Sequence, residues 1–280
     1  MPPETKLVDR AATDERLIHE LVQIGLRTRE TDACYFDTPI GAAIWVRDAR
    51  RIADQLAPGS TILDWGCGAG QMSWLLRRHG FKVIASDFAQ RPTVPELMDG
   101  VEYQAVRHRS QIDLPDESVD AVLSSGTLEH VWTIHASLAE VRRVLKPGGC
   151  LFIFRFPNEW SISEWVARRS GRWSHAVRMN RSELRLLLRS HGFRVERLGY
   201  DSFLPLFLGR SFRSLRSLWN SLRGPVLAFD ALLTHLPFVR ALSTSIRCVA
   251  CANDEYVDGN FDLAAVGSFD EVSGAGVRAQ

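Results

Sequence analysis

The chain has 280 residues, 45% hydrophobic and 24% charged, with a net charge of +1 and a mean hydropathy of −0.09. That composition fits one soluble domain with a sizeable core, or one domain with an appendage. Neither a membrane span nor export is expected, because no run approaches 18 uncharged apolar residues and MPPETKLVDR lacks the apolar core of an export signal.

The charge is unevenly spread. Residues 151–250 hold sixteen Arg, no Lys and six acids, a net of +10, whereas 252–280 hold one Arg and six acids, a net of −5. A basic second half suits an anionic or membrane-surface neighbour, and it equally suits solvated Arg-rich helix faces. The five cysteines, Cys34, Cys67, Cys150, Cys248 and Cys251, are odd in number and mostly in apolar or glycine-loop contexts. They read as free thiols of a reducing, cytoplasmic compartment. Cys248 and Cys251 form a C-x-x-C within the strand-like SIRCVACA, where residues three apart point to opposite faces, so zinc is not expected.

In chain order, residues 13–28 place Leu17, Leu21 and Ile24 on one helical face, and a second helix covers 40–56, stopping at Pro58-Gly59. Strand TILDW, a glycine loop and a helix over 70–79 follow, then strand FKVIASD and a Pro-containing loop. Next come strand DAVLSSG, a helix over 134–145 closed by KPGG, and strand CLFIFRF. Asn180 and Glu183 have the form of a capping box for helix ELRLLLRS, after which FRVERLGY and SIRCVACA read as strands. Strands alternating with helices of ten or so residues imply a parallel sheet with helices on both faces. The segment at about 203–243 breaks the alternation and reads as an insertion, and the acidic Gly/Ser-rich tail reads as disordered.

The glycine loop carries the first chemistry. Gly66, Gly68 and Gly70 give G-x-G-x-G, with Gln71 where a dinucleotide fingerprint needs its third Gly, and no Gly-Lys-Ser/Thr of a P-loop is present. The carboxylate of Asp64 just ahead of the loop suits a ligand carrying an ammonium and a sulfonium better than a pyrophosphate. Asp87, seventeen residues beyond Gly70 at the tip of the second strand, is placed either to accept hydrogen bonds from a ribose diol or to cap the turn before FAQRP.

With these stretches, ILDWGCGAG, VIASDF, IDLPDESVDAVLSSGTLEHV and LAEVRRVLKPGGCLFI, the sequence resembles the class I S-adenosylmethionine-dependent methyltransferases with small-molecule or lipid-like acceptors, similar to the ubiquinone/menaquinone type. The resemblance covers roughly 58–200 and the strand near 245–252. It implies a Rossmann-like, seven-stranded, mostly parallel α/β sheet, with a helical N-terminal lid at 1–57, a catalytic domain at 58–252 and a tail at 253–280. It also implies S-adenosyl-L-methionine as cofactor. Asp64, Gly66, Cys67, Gly68 and Gly70 would line the methionine half, Asp87 would hold the ribose, and Phe88 would pack near the adenine. Ser125 and Gly126 would pass beside the sulfonium. The family often has an Asp before the adenine contact; here Ser110 stands there, followed by Gln111, so adenine recognition falls to these residues, to backbone, or to Asp113.

Methyl transfer from a sulfonium gains mainly from positioning, and a base is needed only for an acceptor that must lose a proton. His130, after the fourth strand, is the candidate catalytic base, against a structural role capping the same loop. Ubiquinone-type relatives carry E-x-x-E-H here for a divalent metal; Gly126 replaces the first Glu in this chain, so no metal is expected. Tyr35 before the second helix and Trp160, Trp165 and Trp173 after the fifth strand are candidate acceptor contacts, at the sheet edge where open α/β folds bind substrates. In 203–223, Leu208, Phe212, Leu215, Leu218, Trp219 and Leu222 share a helical arc of about 120°, with four Arg and no acid in the stretch. Such a helix suits an anionic membrane face or a cap over the site. Nucleic acid is not an expected partner, since the N-P-P-[YFW] element is absent. The expected function is O-methylation of a hydrophobic acceptor, with N- or C-methylation or a non-catalytic cofactor-binding scaffold as alternatives.

Overall fold

A computed structural model describes residues 3–28, 36–90, 92, 94–107, 111–171, 175, 177–204 and 216–253. Helices α1 (Pro3–Arg27) and α2 (Pro39–Ala53) precede β1 (Thr61–Trp65), α3 (Gln71–Arg78), β2 (Lys82–Asp87) and β3 (Glu102–Ala105). There follow β4 (Val119–Ser125), α4 (Ile134–Val144), β5 (Leu145–Pro157), α5 (Ile162–Arg169), α6 (Arg181–Ser190) and β6 (Phe193–Asp201). Helices α7 (Arg216–Ser221) and α8 (Arg223–His235) lead into β7 (Ser245–Ala252). The strands form one sheet in the order β3-β2-β1-β4-β5-β7-β6. β7 runs antiparallel to β5 and β6 in an otherwise parallel sheet.

The elements follow from local chemistry. α2 starts where Thr38 Oγ1 accepts a bond from Gly41 N at 3.1 Å and Pro39 supplies a preset φ. α6 carries the expected capping box, with Glu183 Oε2 accepting from Asn180 N at 2.8 Å. The central strands are buried on both faces: α1, α2 and α3 share one core cluster with Ile62, Leu123 and Phe152, while α4 and α6 share the other with Leu63, Val122 and Ile153. Two of the stretches that carry the resemblance prove structural. Asp120 accepts from Thr61 N and Lys146 Nζ, each at 2.7 Å, joining the starts of β1, β4 and β5. Arg143 ties the LPDES loop through Leu114 O at 2.8 Å and Asp116 at 2.7 Å.

Some expectations need correction. α1 begins at Pro3 rather than near 13, and a short edge strand, β3, lies in VEYQAV, where no side chain is fully buried to reveal it. Leu145 already has extended geometry, so β5 includes KPGG. The cysteines are not all free. Antiparallel pairing sets Cys150 opposite Cys251 with Cα atoms 4.0 Å apart, and they form a disulfide, while Cys67 and Cys248 stay as buried thiols. The C-x-x-C is thus split as the strand geometry required. The described part of the insertion is largely helical: α8 packs Val226 and Leu227 on Ile40 and Ile44 of α2. Buried Asp230 accepts from Phe203 N and Leu204 N at 2.7 Å each. Most of the 203–223 segment and the tail beyond Asn253 lie outside the described residues. No helix among the described residues is long and apolar enough to cross a membrane.

Candidate active site

β1 and β4 are neighbours whose following connections run in opposite directions along the sheet, and the crevice beyond their C-terminal ends is where open α/β sheets bind ligands. The glycine loop opens there. Gly66 N and Cys67 N both donate to Ser86 O, at 2.8 and 3.0 Å, fastening the loop to β2. Gly66 has φ +73°, and a Cβ there would lie 2.4 Å from Thr127 Cγ2, so only glycine lets the β1 and β4 loops meet. Gly68, at φ +55°, faces open space, and Gly70 opens α3 at φ +94°. Asp87 Oδ2 accepts from Gly68 N and Oδ1 from Phe88 N, each at 2.7 Å, so this carboxylate joins the strand tip to the loop. Phe88 is 65% exposed beside it. The loop after β2 is held by Tyr103 OH donating to Ala89 O at 2.6 Å. A groove of about 740 Å³, bounded by Gln90, Tyr103, Gln104, Arg107 and Asp113, continues from there. Gln111 opens onto a neighbouring hollow that shares Asp113; Ser110, Tyr35 and Trp173 lie outside the described residues.

Asp64 is buried at the end of β1, with Oδ2 accepting from Ser73 Oγ of α3 at 2.5 Å. Burial pushes its carboxyl up to about 6, Ser73 opposes the rise and the charge of Asp87 adds to it. Burial likewise pushes the Cys67 thiol up, so this cysteine contributes backbone rather than a thiolate.

Beyond β4, Ser124 Oγ accepts from Leu128 N at 3.1 Å and starts a short 3₁₀ turn, Leu128–His130. Glu129 is buried there, and burial pushes its carboxyl up to about 7. His130 is half-exposed, its Nε2 3.9 Å from Glu129 Oε1, and burial with the facing His175 lowers its pKa. The His130 and His175 rings have centroids 5.5 Å apart. His175 Nδ1 lies 2.7 Å from Oε1 of buried Glu164 on α5. The donor atoms of Glu129, His130 and His175 all fall within 4.8 Å of one another, a set able to hold a metal ion. Trp160, just ahead of α5, and Trp165, within it, are each 54% exposed, and the Arg169 guanidinium sits 5.2 Å over the Trp165 ring.

Ser125, beside Gly126 at the tip of β4, is held from behind. Its Oγ accepts from Arg155 Nη1 at 2.5 Å, and Arg155 Nη2 reaches Asp48 Oδ2 at 2.7 Å. Arg155, at φ +60°, stacks 3.6 Å over the Trp45 ring. Asp48 also pairs with Arg47 and Arg51, and Asp201 with Arg47, Arg51 and Arg247. The sequence reading passed over Arg155, Asp48, His175 and Glu164. The signal for the first pair was a lone charge inside the apolar run CLFIFRF and a lone acid inside the mostly apolar face of α2.

Comparison with known proteins agrees with this geometry. Residues 63–153 match the family described as "Methyltransferase domain". A probable S-adenosylmethionine-dependent methyltransferase of Mycolicibacterium smegmatis is 32% identical over 149 residues, 52% of this chain and 56% of that protein. A ubiquinone biosynthesis O-methyltransferase of Paramagnetospirillum magneticum is 30% identical over 165 residues, 53% of this chain and 65% of that one. A malonyl-[acyl-carrier protein] O-methyltransferase of Serratia marcescens is 34% identical over 100 residues, 34% and 37% of the two chains. The matches span only 37% to 65% of these relatives' lengths. Among solved structures, the [4+2]-cyclase SpnF superposes with a TM-score of 0.54 at 21% identity, covering 76% of this chain and 81% of that one. A phosphoethanolamine N-methyltransferase 2 of Haemonchus contortus, solved with S-adenosylhomocysteine, gives 0.52 at 17%, covering 74% and 52%. Likenesses of this degree show the fold. Over residues 63–153 the chain matches a methyltransferase domain, and over about half its length it is similar to a probable S-adenosylmethionine-dependent methyltransferase.

Proposed function

We propose that the protein transfers a methyl group from S-adenosyl-L-methionine to an oxygen of a small hydrophobic or lipid-linked acceptor. The observation that carries this reading is the single hydrogen-bonded assembly of glycine loop, Asp87 and β4 loop, with Gly68 facing open space and His130 half-exposed at its rim. Asp64 meets the methionine ammonium, and the backbone of Gly66, Cys67, Gly68 and Gly70 lets the chain approach the methionine half. Asp87 takes the ribose diol, Phe88 with Ser110 and Gln111 bounds the adenine, and Ser125 and Gly126 flank the sulfonium. The acceptor oxygen attacks the methyl carbon in line: the C–O bond forms as the C–S bond breaks, its electron pair stays on sulfur as a neutral thioether, and His130 takes the acceptor's proton. The relatives named as O-methyltransferases support oxygen as the accepting atom. In this reading 1–57 covers the cleft, 58–252 is the catalytic unit, and Tyr35, Trp160, Trp165 and Trp173 contact the acceptor.

Calorimetry with S-adenosylmethionine and S-adenosylhomocysteine, followed by methyl-donor turnover over hydrophobic phenols, amines and acids, tests it. Failure to bind either nucleoside sinks the cofactor assignment. Binding with no turnover across the panel leaves a scaffold.

Asp64 adds a pH test. Only its ionised form attracts the ammonium, and the free protein holds its proton up to about pH 6 because of burial. Affinity should therefore weaken about tenfold per pH unit below that value and level off above it. Asp64→Asn should flatten the profile; an unchanged slope in that variant assigns the proton elsewhere.

Peripheral attachment to the cytoplasmic membrane face is the companion proposal. Its support is α8, where Phe229, Leu232 and Leu236, with Phe238 just beyond, are exposed on a segment next to the Arg-rich stretch. Co-sedimentation with phosphatidylglycerol vesicles and not with phosphatidylcholine vesicles is the expected result, and equal recovery in both supernatants removes the idea.

A further inference from the structure

We propose that Arg51, Arg197 and Arg247 form a binding site for the phosphoryl group of a phosphate monoester, on the α2 face of the sheet. Arg197 and Arg247 are two of the sixteen arginines that make residues 151–250 basic. The site goes beyond the methyl-transfer reading, and none of the residues given a part in that reaction lines it.

Strand register builds the hollow. Gly199 of β6 stands opposite Arg247 of β7, and Arg197 stands opposite Val249, so the four share one face of the sheet. Val249 packs in the same core cluster as α2, which identifies the face. Arg51 of α2 and Gln55 just beyond that helix close the other side of a cavity of about 280 Å³, lined also by Phe154 of β5. Gly199 leaves room in it. The guanidinium of Arg247 lies over this residue, where a Cβ would meet Cζ and Nη2 at 3.4 Å and Nε at 3.5 Å. Among the described residues no acid lines the cavity.

The charges around it do not balance. Arg47, Arg51, Arg155 and Arg247 share two acids, Asp48 and Asp201. Arg197 is exposed and makes no hydrogen bond or ion pair among the described residues. Even with Asp230 counted, five guanidiniums stand against three carboxylates. Arg51 uses only Nη1 on Asp48 and Asp201, and Arg247 only Nη1 on Tyr200 O and Asp201. The Nε and Nη2 atoms of both are unpaired but not shut away from solvent. Burial lowers the Arg247 pKa, and the charge of Arg51 lowers it further against the pull of Asp201. A bound dianion relieves that crowding. The number of forks decides its kind: one guanidinium saturates the two oxygens of a planar carboxylate, whereas three suit the three terminal oxygens of a phosphoryl group.

The test is calorimetric titration of the full chain with inorganic phosphate at constant ionic strength, without methyl donor. Saturable binding of one equivalent is expected, with a raised melting temperature because the anion binds the folded chain. Arg197→Ala should weaken it about 10- to 100-fold, the usual effect of losing a charge-assisted hydrogen bond. That side chain is exposed and unpaired, so the variant should keep its fold, which circular dichroism checks. Gly199→Val should abolish binding by filling the hollow while every charge stays in place. Arg189→Ala, exposed on α6 against the opposite face, should change nothing. Competition by glycerol phosphate would identify a small soluble ester as the source of the phosphoryl group. Pelleting with phosphatidic acid vesicles, prevented by Arg197→Ala, would identify a lipid headgroup, and either result supports the site. No saturation, binding indifferent to both Arg197→Ala and Gly199→Val, or equal weakening by Arg197→Ala and Arg189→Ala leaves only a diffuse basic field and overturns the assignment. Cofactor binding and methyl turnover are measured separately, so that failure would leave the methyltransferase reading intact.

Discussion

Asp48→Asn should destabilise the protein by about 3–5 kcal/mol, the usual cost of removing one partner from a buried charge cluster. Asp48 is wholly buried and receives Arg155 at 2.7 Å, Arg51 at 3.0 Å and Arg47 at 3.3 Å. Asparagine keeps the shape, but it loses the charge and offers one acceptor oxygen where two are used. Thermal unfolding should shift down by roughly 10 °C. A loss below about 1 kcal/mol would mean that the guanidiniums find other partners or water. The double variant Asp48→Asn/Arg155→Met should recover part of the loss, since the stranded guanidinium is gone. The same cluster sets an acid limit. Burial drives the Asp201 carboxyl up, but Arg47, Arg51, Arg155 and Arg247 outweigh it and hold it at about 2. With the folded value below the ordinary 3.8, its contribution is complete above about pH 4 and is lost as pH falls toward 2. Acid unfolding of Asp201→Asn should accordingly be flatter across that window.

Gly66→Ala is the second large effect. A left-handed φ of +73° costs an L-residue about 1 kcal/mol, and a methyl 2.4 Å from Thr127 Cγ2 and 2.5 Å from its Oγ1 must push the β1 and β4 loops apart. Overpacking of this kind costs about 1–3 kcal/mol. The damage should show twice, as a lower melting temperature and as cofactor affinity reduced at least tenfold. Adding Thr127→Ala should restore most of the affinity, because it removes both close contacts and leaves the φ cost. If the double variant binds no better than Gly66→Ala alone, the overlap is not what closes the site. Gly68→Ala makes a contrast: its Cβ meets nothing within 4 Å, so it should cost little stability beyond its φ of +55° while intruding on the ligand.

Much of this was legible because it is local. β1, β2, β4 and β5 each contain an apolar run (IL, VIA, AVL and CLFIF), which is how strands covered on both faces read. The proposed cofactor half of the site is two short stretches, ILDWGCGAG and SDF, whose chemistry lies in their own backbone and carboxylates. β3 escaped notice because an edge strand with no fully buried side chain leaves no periodic trace. The side-chain pairs behind Ser125 and beside His130 could not be read for a different reason: they are made by the fold. Arg155 meets Asp48 from 107 residues away, and His175 meets Glu164 from 11 residues away across a helix end. Sequence places each of these as an isolated charge in an unpromising context. Only the fold makes them partners, by bringing α2 against Arg155 of β5 and His175 back against Glu164 of α5.

The Cys150–Cys251 bond has a topological consequence. It closes a covalent ring over a sequence separation of 101 residues, and α5, α6, β6, α7 and α8 all lie within that ring. Glu129, His130 and the cofactor loop stand outside, while His175, Glu164, Trp160 and Trp165 are inside. A chain nicked once anywhere within the ring would migrate as a single band until reduced and would then fall into two. The segment between the two cysteines is in effect a looped cassette with both ends locked to adjacent strands. Insertions or deletions inside it are absorbed within the ring and leave β4, whose loop meets the glycine loop, outside it.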